Sequence, residues 1–291
     1  MKTLAASVRG TESASTLDRA RSLLELGFDF VTLEEPLHAA VWEELRGMLP
    51  RESVVAVRLF VPYPKSVRPG SRSGFRLGLT DAGDRGEVLK QAKETLRVAD
   101  DRSIPRVLVP VASVDDEPHR RSPGYKRSQD PETAKVFDSY RSTLYELLSL
   151  ADRYDVTLCL TPTPRRNEVP SLGEAEACLR EFDGGPVALW LDTARLPELE
   201  LPDLEAGSDE GLRSALHGIS VHDVGGGVEG LTPGRGDIDW KEVEGTLTAS
   251  PIWALDLRAG ASLDEFTRGR EFFEQLESPP QDDQALVLPP S

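Results

Sequence analysis

Residues 187–196, VALWLDTARL, read together with 217–227, HGISVHDVGGG, and 251–260, PIWALDLRAG, decide the fold. Each run climbs through apolar residues to a carboxylate where a strand should end: Asp192, Asp223 and Asp256. A parallel sheet presents the C-terminal ends of its strands on one edge. Three acids at three such ends therefore converge on one mouth, the place where α/β folds keep their chemistry.

The rest of the chain repeats the pattern. Strand-like runs recur at TLAASV (3–8), FVTLEE (30–35), VVAVRLFV (54–61), RVLVPVA (106–112) and VTLCLT (156–161), each followed by a segment with helical spacing of apolar residues. Leu17, Ala20, Leu23 and Leu24 form one stripe, Val88, Ala92, Leu96 and Ala99 a second, and Val136, Tyr140, Leu144, Leu147 and Ala151 a third. Asp130 with Pro131 opens a helix, and Ser171 with Glu174 and Ser262 with Glu265 read as capping boxes. Eight strand–helix units without a Gly-, Ser- or Pro-rich linker predict an α/β protein, a single-domain (β/α)8 TIM barrel over 1–277. A Pro-rich tail, 278–291, follows it, with Leu286, Val287 and Leu288 able to dock on the barrel.

Composition narrows the setting. A net charge of −16 argues against binding a phosphate backbone, so no nucleic-acid partner is expected. Cys159 in the fifth strand and Cys178 in the fifth helix read as buried small apolar residues rather than a disulfide framework. The N-terminus has no long apolar core, and no run approaches the roughly 20 apolar residues of a membrane span. A cytoplasmic protein with no membrane partner is the expectation, its oligomeric state open.

Basic residues collect in three loops that should share the mouth. Lys65, Arg68, Arg72 and Arg76 follow the third strand, His119, Arg120, Arg121, Lys126 and Arg127 the fourth, and Arg165 and Arg166 the fifth. Such segregation on an anionic protein would focus an anionic ligand; solvated loops that happen to be basic explain the same composition. Tyr63, Phe75 and Tyr125 in these loops either stack on a sugar ring or pack onto the barrel. Gly225, Gly226 and Gly227 make a flexible turn that could also cradle an anion, although they lack P-loop spacing.

The runs LYELLSLADRYDVTLCLTPTP (144–164), VALWLDTARL, ISVHDVGGG (219–227) and PGRGDIDWKEVEGTL (233–247) resemble, in that order, the second half of the xylose isomerase-like barrels, the sugar phosphate isomerase and epimerase superfamily. The first half is similar in layout, through GFDFVTLEE (27–35) and LKQAKETLRVADDRSIPRVLVPV (89–111). The resemblance implies a divalent cation held by a Glu, an Asp, a His and a second Glu from four strands, and enediolate chemistry by acidic side chains. Those positions read here Thr161, Asp192, Ser220 and Asp256, and the histidine of the D-x-x-H pattern is Arg195. Hard cations want several charged oxygen ligands, which this set lacks, so no cofactor is expected and a divalent metal is disfavoured.

Asp192, Asp256 and Arg195 are the catalytic candidates. Ligand-binding candidates are Arg58, Thr161, Ser220 and His222, with Asp223, Arg235, Gly236 and Arg258 beyond them. Strand alternation is read as turning His222 away from the side of Ser220, and Asp237 and Asp239 as helix-capping. Arg195 either closes an ion pair with Asp192 and Asp256 or receives a carboxylate or phosphate through its planar fork. Two functions follow. One is a divergent isomerase or epimerase acting on a small polar, phosphorylated or carboxylated carbohydrate-like substrate with weak or no metal dependence. The other is a binding or regulatory barrel that kept the pocket and lost the chemistry. The zinc-dependent endonuclease branch needs a histidine cluster that His38, His119, His217 and His222 do not supply.

Overall fold

The structure, a computed structural model, describes residues 3–8, 13–33, 47, 50, 52–59, 82–114, 118–199, 210–250 and 252–277. The basic loop of residues 62–80, the helix expected between the second and third strands, and the C-terminal tail lie outside the described residues. Eight parallel strands close into a barrel in the order β1 (Thr3–Val8), β2 (Phe30–Leu33), β3 (Val54–Arg58), β4 (Arg106–Val109), β6 (Thr157–Leu160), β8 (Val187–Asp192), β9 (Leu216–Val221) and β12 (Ile252–Leu255), which pairs back onto β1. The helices α1 (Ser13–Glu25), α2 (Ala82–Asp101), α3 (Pro131–Arg153), α4 (Leu172–Glu181), α5 (Glu210–Ala215), α6 (Trp240–Ala249) and α7 (Leu263–Glu277) fill the connections.

Strand alternation divides the core in two. Outward-facing residues such as Val31, Val107, Leu158, Leu191, Ile219 and Leu255 pack against the predicted helix stripes, including Leu23, Leu96, Leu144 and Phe273. Inward-facing Ala5, Ala56, Leu108, Cys159, Ala188, Trp190 and Ala254 form a second cluster from six strands, which must lie inside the barrel. Small residues dominate this interior, so one large ring is needed to fill it. Trp190 supplies that ring, and Gly218 on the neighbouring strand makes room: a Cβ there would lie 2.3 Å from the indole.

The caps form as their residues dictate. Asp130 accepts from the amides of Glu132 and Thr133 ahead of α3, Ser171 and Glu174 close a capping box on α4, and Ser262 and Glu265 do the same on α7. Cys159 and Cys178 are free and buried, and burial pushes both thiols up to about 12. Among the described residues no helix is long and apolar enough to cross a membrane.

Two short antiparallel ribbons extend the barrel. β5 (Ala112–Ser113) pairs with β7 (Glu168–Val169) just beyond the ends of β4 and β6, and β10 (Asp223–Gly225) with β11 (Val228–Leu231) beyond β9. HGISVHDVGGG is thus a barrel strand that stops at Val221, followed by a hairpin whose turn residues Gly226 and Gly227 take positive φ of 58° and 80°. Asp223 belongs to the hairpin and not to the end of a barrel strand.

Candidate active site at the C-terminal mouth

Asp192 is the last residue of β8 and also caps the 3-10 turn Thr193–Glu198, its Oδ1 accepting from the Ala194 amide at 3.0 Å. One turn of that helix brings Arg195 back over the carboxylate, with Nε 3.5 Å from Oδ2. Both remain partly open, the side chains 16% and 22% exposed. Arg195 therefore sits beside Asp192 as an ion pair at the rim, where a ligand can still reach it.

Between these two residues stands Thr193, fully buried. Its hydroxyl donates to the His222 carbonyl at 2.6 Å and accepts from the His222 amide at 3.0 Å, tying the end of β8 to the residue after β9. His222 consequently faces the mouth. Its Nε2 lies 3.6 Å from Asp192 Oδ1, on the same side as Ser220, because residues two apart on a strand share a face. The orientation inferred from the sequence is corrected accordingly.

Ser220 itself is turned to the interior, where its hydroxyl accepts from Trp190 Nε1 at 3.0 Å. Asp223 faces the other way and is fully buried. Its carboxylate accepts from the amides of Val224, Gly234 and Ile238 and from Trp240 Nε1, at 2.9 to 3.1 Å. These four donors consume both oxygens, so Asp223 organises the turn into α6 and does not line the mouth. Gly236 serves the same turn, since a Cβ there would strike the Val224 carbonyl and Asp223. Arg235 is exposed on that turn, and Asp239 accepts from the Lys241 amide, as a capping residue does.

Asp256 follows β12 directly and is buried, its amide donating to the Val221 carbonyl. Arg58 ends β3 and Thr161 follows β6, both partly buried at the mouth end. Arg258 is drawn outward to Glu265 at 2.7 Å, in the capping box of α7.

The loops after β4 and β6 meet at this end of the barrel and are bound mainly to each other. Buried Arg120 donates to Asp130 and Glu132, Arg127 to Glu174 and the Arg165 carbonyl, and Arg166 to the carbonyls of Ser122 and Arg120. Tyr125 packs down, its hydroxyl donating to Asp130 at 2.9 Å. Most of the basic charge described in these loops is therefore matched internally. Arg165 is matched as well, by two carboxylates. It bridges the ribbons, donating to Glu168 on β7 at 3.3 Å and to Glu229 on β11 at 3.1 Å. Burial works against its charge, but Glu168 above all, then Glu229 and Asp192, outweigh that and raise its pKa. Thr163 completes the support by donating to Glu168 at 2.8 Å.

A divalent cation, as the resemblance implies, needs several charged oxygen or imidazole ligands around one point. Thr161 offers a hydroxyl, Ser220 a hydroxyl already held by Trp190, and Arg195 a positive charge against Asp192. Among the described residues no three His, Cys, Asp or Glu side chains are arranged to hold a metal ion. These residues do not fit the cation.

At the opposite end, a cleft of about 600 Å³ opens between α4 and α5 beside Val187 and His217. That is the end where TIM barrels keep stability rather than catalysis. Burial, and then the charge of Arg106, lower the pKa of His217 there.

A closed eight-stranded barrel with its acids at the C-terminal mouth defines a class, and the sequence places the chain within it: residues 20–259 match the xylose isomerase-like TIM barrel family, to which the protein belongs. Solved structures share the fold along nearly the whole chain. The apo 3-keto-D-glucoside 4-epimerase YcjR from E. coli aligns with a TM-score of 0.68 at 18% identity, covering 94% of this chain and 100% of that one. The D-allulose 3-epimerase from Methylomonas sp., in complex with D-allulose, gives 0.66 at 14% identity, covering 94% and 96%. The IolI protein with a zinc atom bound gives 0.61 at 15%, covering 95% and 98%. No curated protein matches the sequence significantly.

Proposed function

We propose that the protein is a divergent sugar isomerase or epimerase that moves a proton next to a carbonyl on a small, polar, carbohydrate-like substrate without depending on a divalent metal. One observation carries this reading: Asp192 stands partly exposed at the mouth with a fixed cation, Arg195, 3.5 Å from its carboxylate. A carboxylate takes the proton from the carbon beside the carbonyl. The C–H electron pair becomes a new C=C bond while the carbonyl π pair moves onto its oxygen, and the resulting enediolate needs positive charge nearby. Arg195 supplies that charge from the same rim, and return of the proton completes the cycle. Buried Asp256, at the end of β12, is the second carboxylate available for that return. The sugar epimerases among the structural neighbours support this substrate class, and a phosphate or carboxylate on the substrate would pair with Arg195 and Arg165.

The second reading, a binding barrel without chemistry, draws on the same ion pair: an Arg195 that stays on Asp192 leaves no free base. One experiment separates them. Chelator-treated protein is incubated in D₂O with D-allulose, D-fructose, a 3-keto-glucoside and ketose phosphates, and deuterium entering beside the carbonyl is followed by NMR. Incorporation that disappears in Asp192→Asn supports the enzyme. Ligand-dependent thermal stabilisation without incorporation supports the binding barrel.

A further inference from the structure

His222 plays no part in that scheme, yet its placement is unusual. The side chain is 5% exposed, and neither ring nitrogen has a hydrogen-bond partner. Buried polar atoms are rarely left this way, and where they are, a site that tightens around a ligand is a common reason. Its backbone is held on both sides by Thr193, which fixes where the side chain leaves the main chain. Asp192 Oδ1 lies 3.6 Å from Nε2, slightly beyond hydrogen-bonding distance. Asp192 is the more exposed of the two, so a substrate meets the carboxylate first and the imidazole lies behind it.

We infer that His222 is the positioning residue of Asp192, donating from Nε2 to Oδ1 when the site closes and aiming the other oxygen at the substrate. The inference rests on Asp192 being the base. Asp192 Oδ1 accepts from the Ala194 amide and Oδ2 faces Arg195; a further contact from the His222 ring would stop the carboxylate from rotating. A neutral imidazole serving this role carries its proton on Nε2. Ser220, on β9, accepts from Trp190 Nε1 and is drawn toward the interior, whereas the His222 ring lies against Asp192 Oδ1.

Two measurements test this. The chain has four histidines, so ¹⁵N spectra of the labelled protein resolve each ring, and His222→Gln assigns the relevant one. The expected result is a proton on Nε2 and a shift of both ring nitrogens in Asp192→Asn. A proton on Nδ1, or no response to Asp192→Asn, overturns the inference whether or not the protein is an enzyme. The second measurement is deuterium incorporation into D-allulose. His222→Leu should lose about 10- to 100-fold in kcat, the range for removing a residue that orients a working ligand, with KM changed less than about twofold. His222→Gln, which keeps an N–H donor, should recover much of that loss. His222→Leu with wild-type kcat overturns the inference while the proposed function stands. Should His222→Leu fold poorly, His222→Met, which also lacks an N–H donor, takes its place. Wild-type protein that incorporates nothing removes the proposed function, and the tautomer then decides whether His222 holds Asp192.

Discussion

A methyl group at Gly218 would lie 2.3 Å from the Trp190 ring, and Trp190 in turn holds the Ser220 hydroxyl. Gly218→Ala should therefore destabilise the fold by about 2 kcal/mol, the cost of overpacking a filled core, read as a lower denaturant midpoint with an unchanged slope. Asp223→Ala should cost about 3 kcal/mol, because charge-assisted hydrogen bonds are strong and their donors would be left buried without a partner. Near-ultraviolet circular dichroism should report the freed Trp240. Neither role was legible in the sequence. Asp223 looked like Asp192, a carboxylate after an apolar run, but it falls in step with outward-facing Ile219 and Val221, and β9 stops before it. His222 carried a readable signal, since it is two residues from Ser220 and must share its face. Asp192 and Arg195 were legible as a pair because a strand end followed by one helical turn fixes their spacing.

The elements themselves were easier to read than their extensions. Apolar runs marked the barrel strands, and the three helix starts were visible as caps because capping chemistry is local to four residues. The ribbons β5–β7 and β10–β11 were not foreseen. Strands of two to four residues carry no periodicity, and β5 and β7 are far apart in sequence. What holds this region is a buried network at the start of α3. Burial works to raise the Asp130 carboxyl, but hydrogen bonds from Arg120 and Tyr125 and the Glu132 amide hold it well below the usual carboxylate range. A carboxyl depressed on folding contributes stability that is complete above its unfolded value, about 3.9, and is lost as pH falls through the folded one. Stability should thus fall with acid from about pH 4 downward. Asp130→Asn, less stable at pH 7, should show a shallower loss between pH 5 and pH 3 in denaturant titrations. Parallel curves for the two proteins would mean that the network is not the acid-sensitive element.

Across the whole molecule, the anionic charge and the closed barrel were present in the sequence, and of the three acids expected at the mouth Asp223 turned elsewhere; what the mouth binds depends on which charges remain unmatched there. The structure leaves Asp192 with Arg195 against it and Arg165 nearby, where a cation site would need several carboxylates or imidazoles around one point. Thr161 and Ser220 are hydroxyls, and a guanidinium 3.5 Å from Asp192 repels a divalent ion from the same volume. Purified protein should accordingly carry less than one equivalent of Mn²⁺, Mg²⁺ or Zn²⁺ by elemental analysis. Chelation should leave its melting temperature unchanged, since an ion that does not bind the native state cannot stabilise it. Arg195→His, which restores the D-x-x-H pattern and removes the fixed charge, should raise metal uptake above the wild-type level if that guanidinium is the main obstacle. A full equivalent of one divalent metal in the wild type, lost together with stability in Asp192→Asn, would make the ordinary metal-dependent isomerase the better reading.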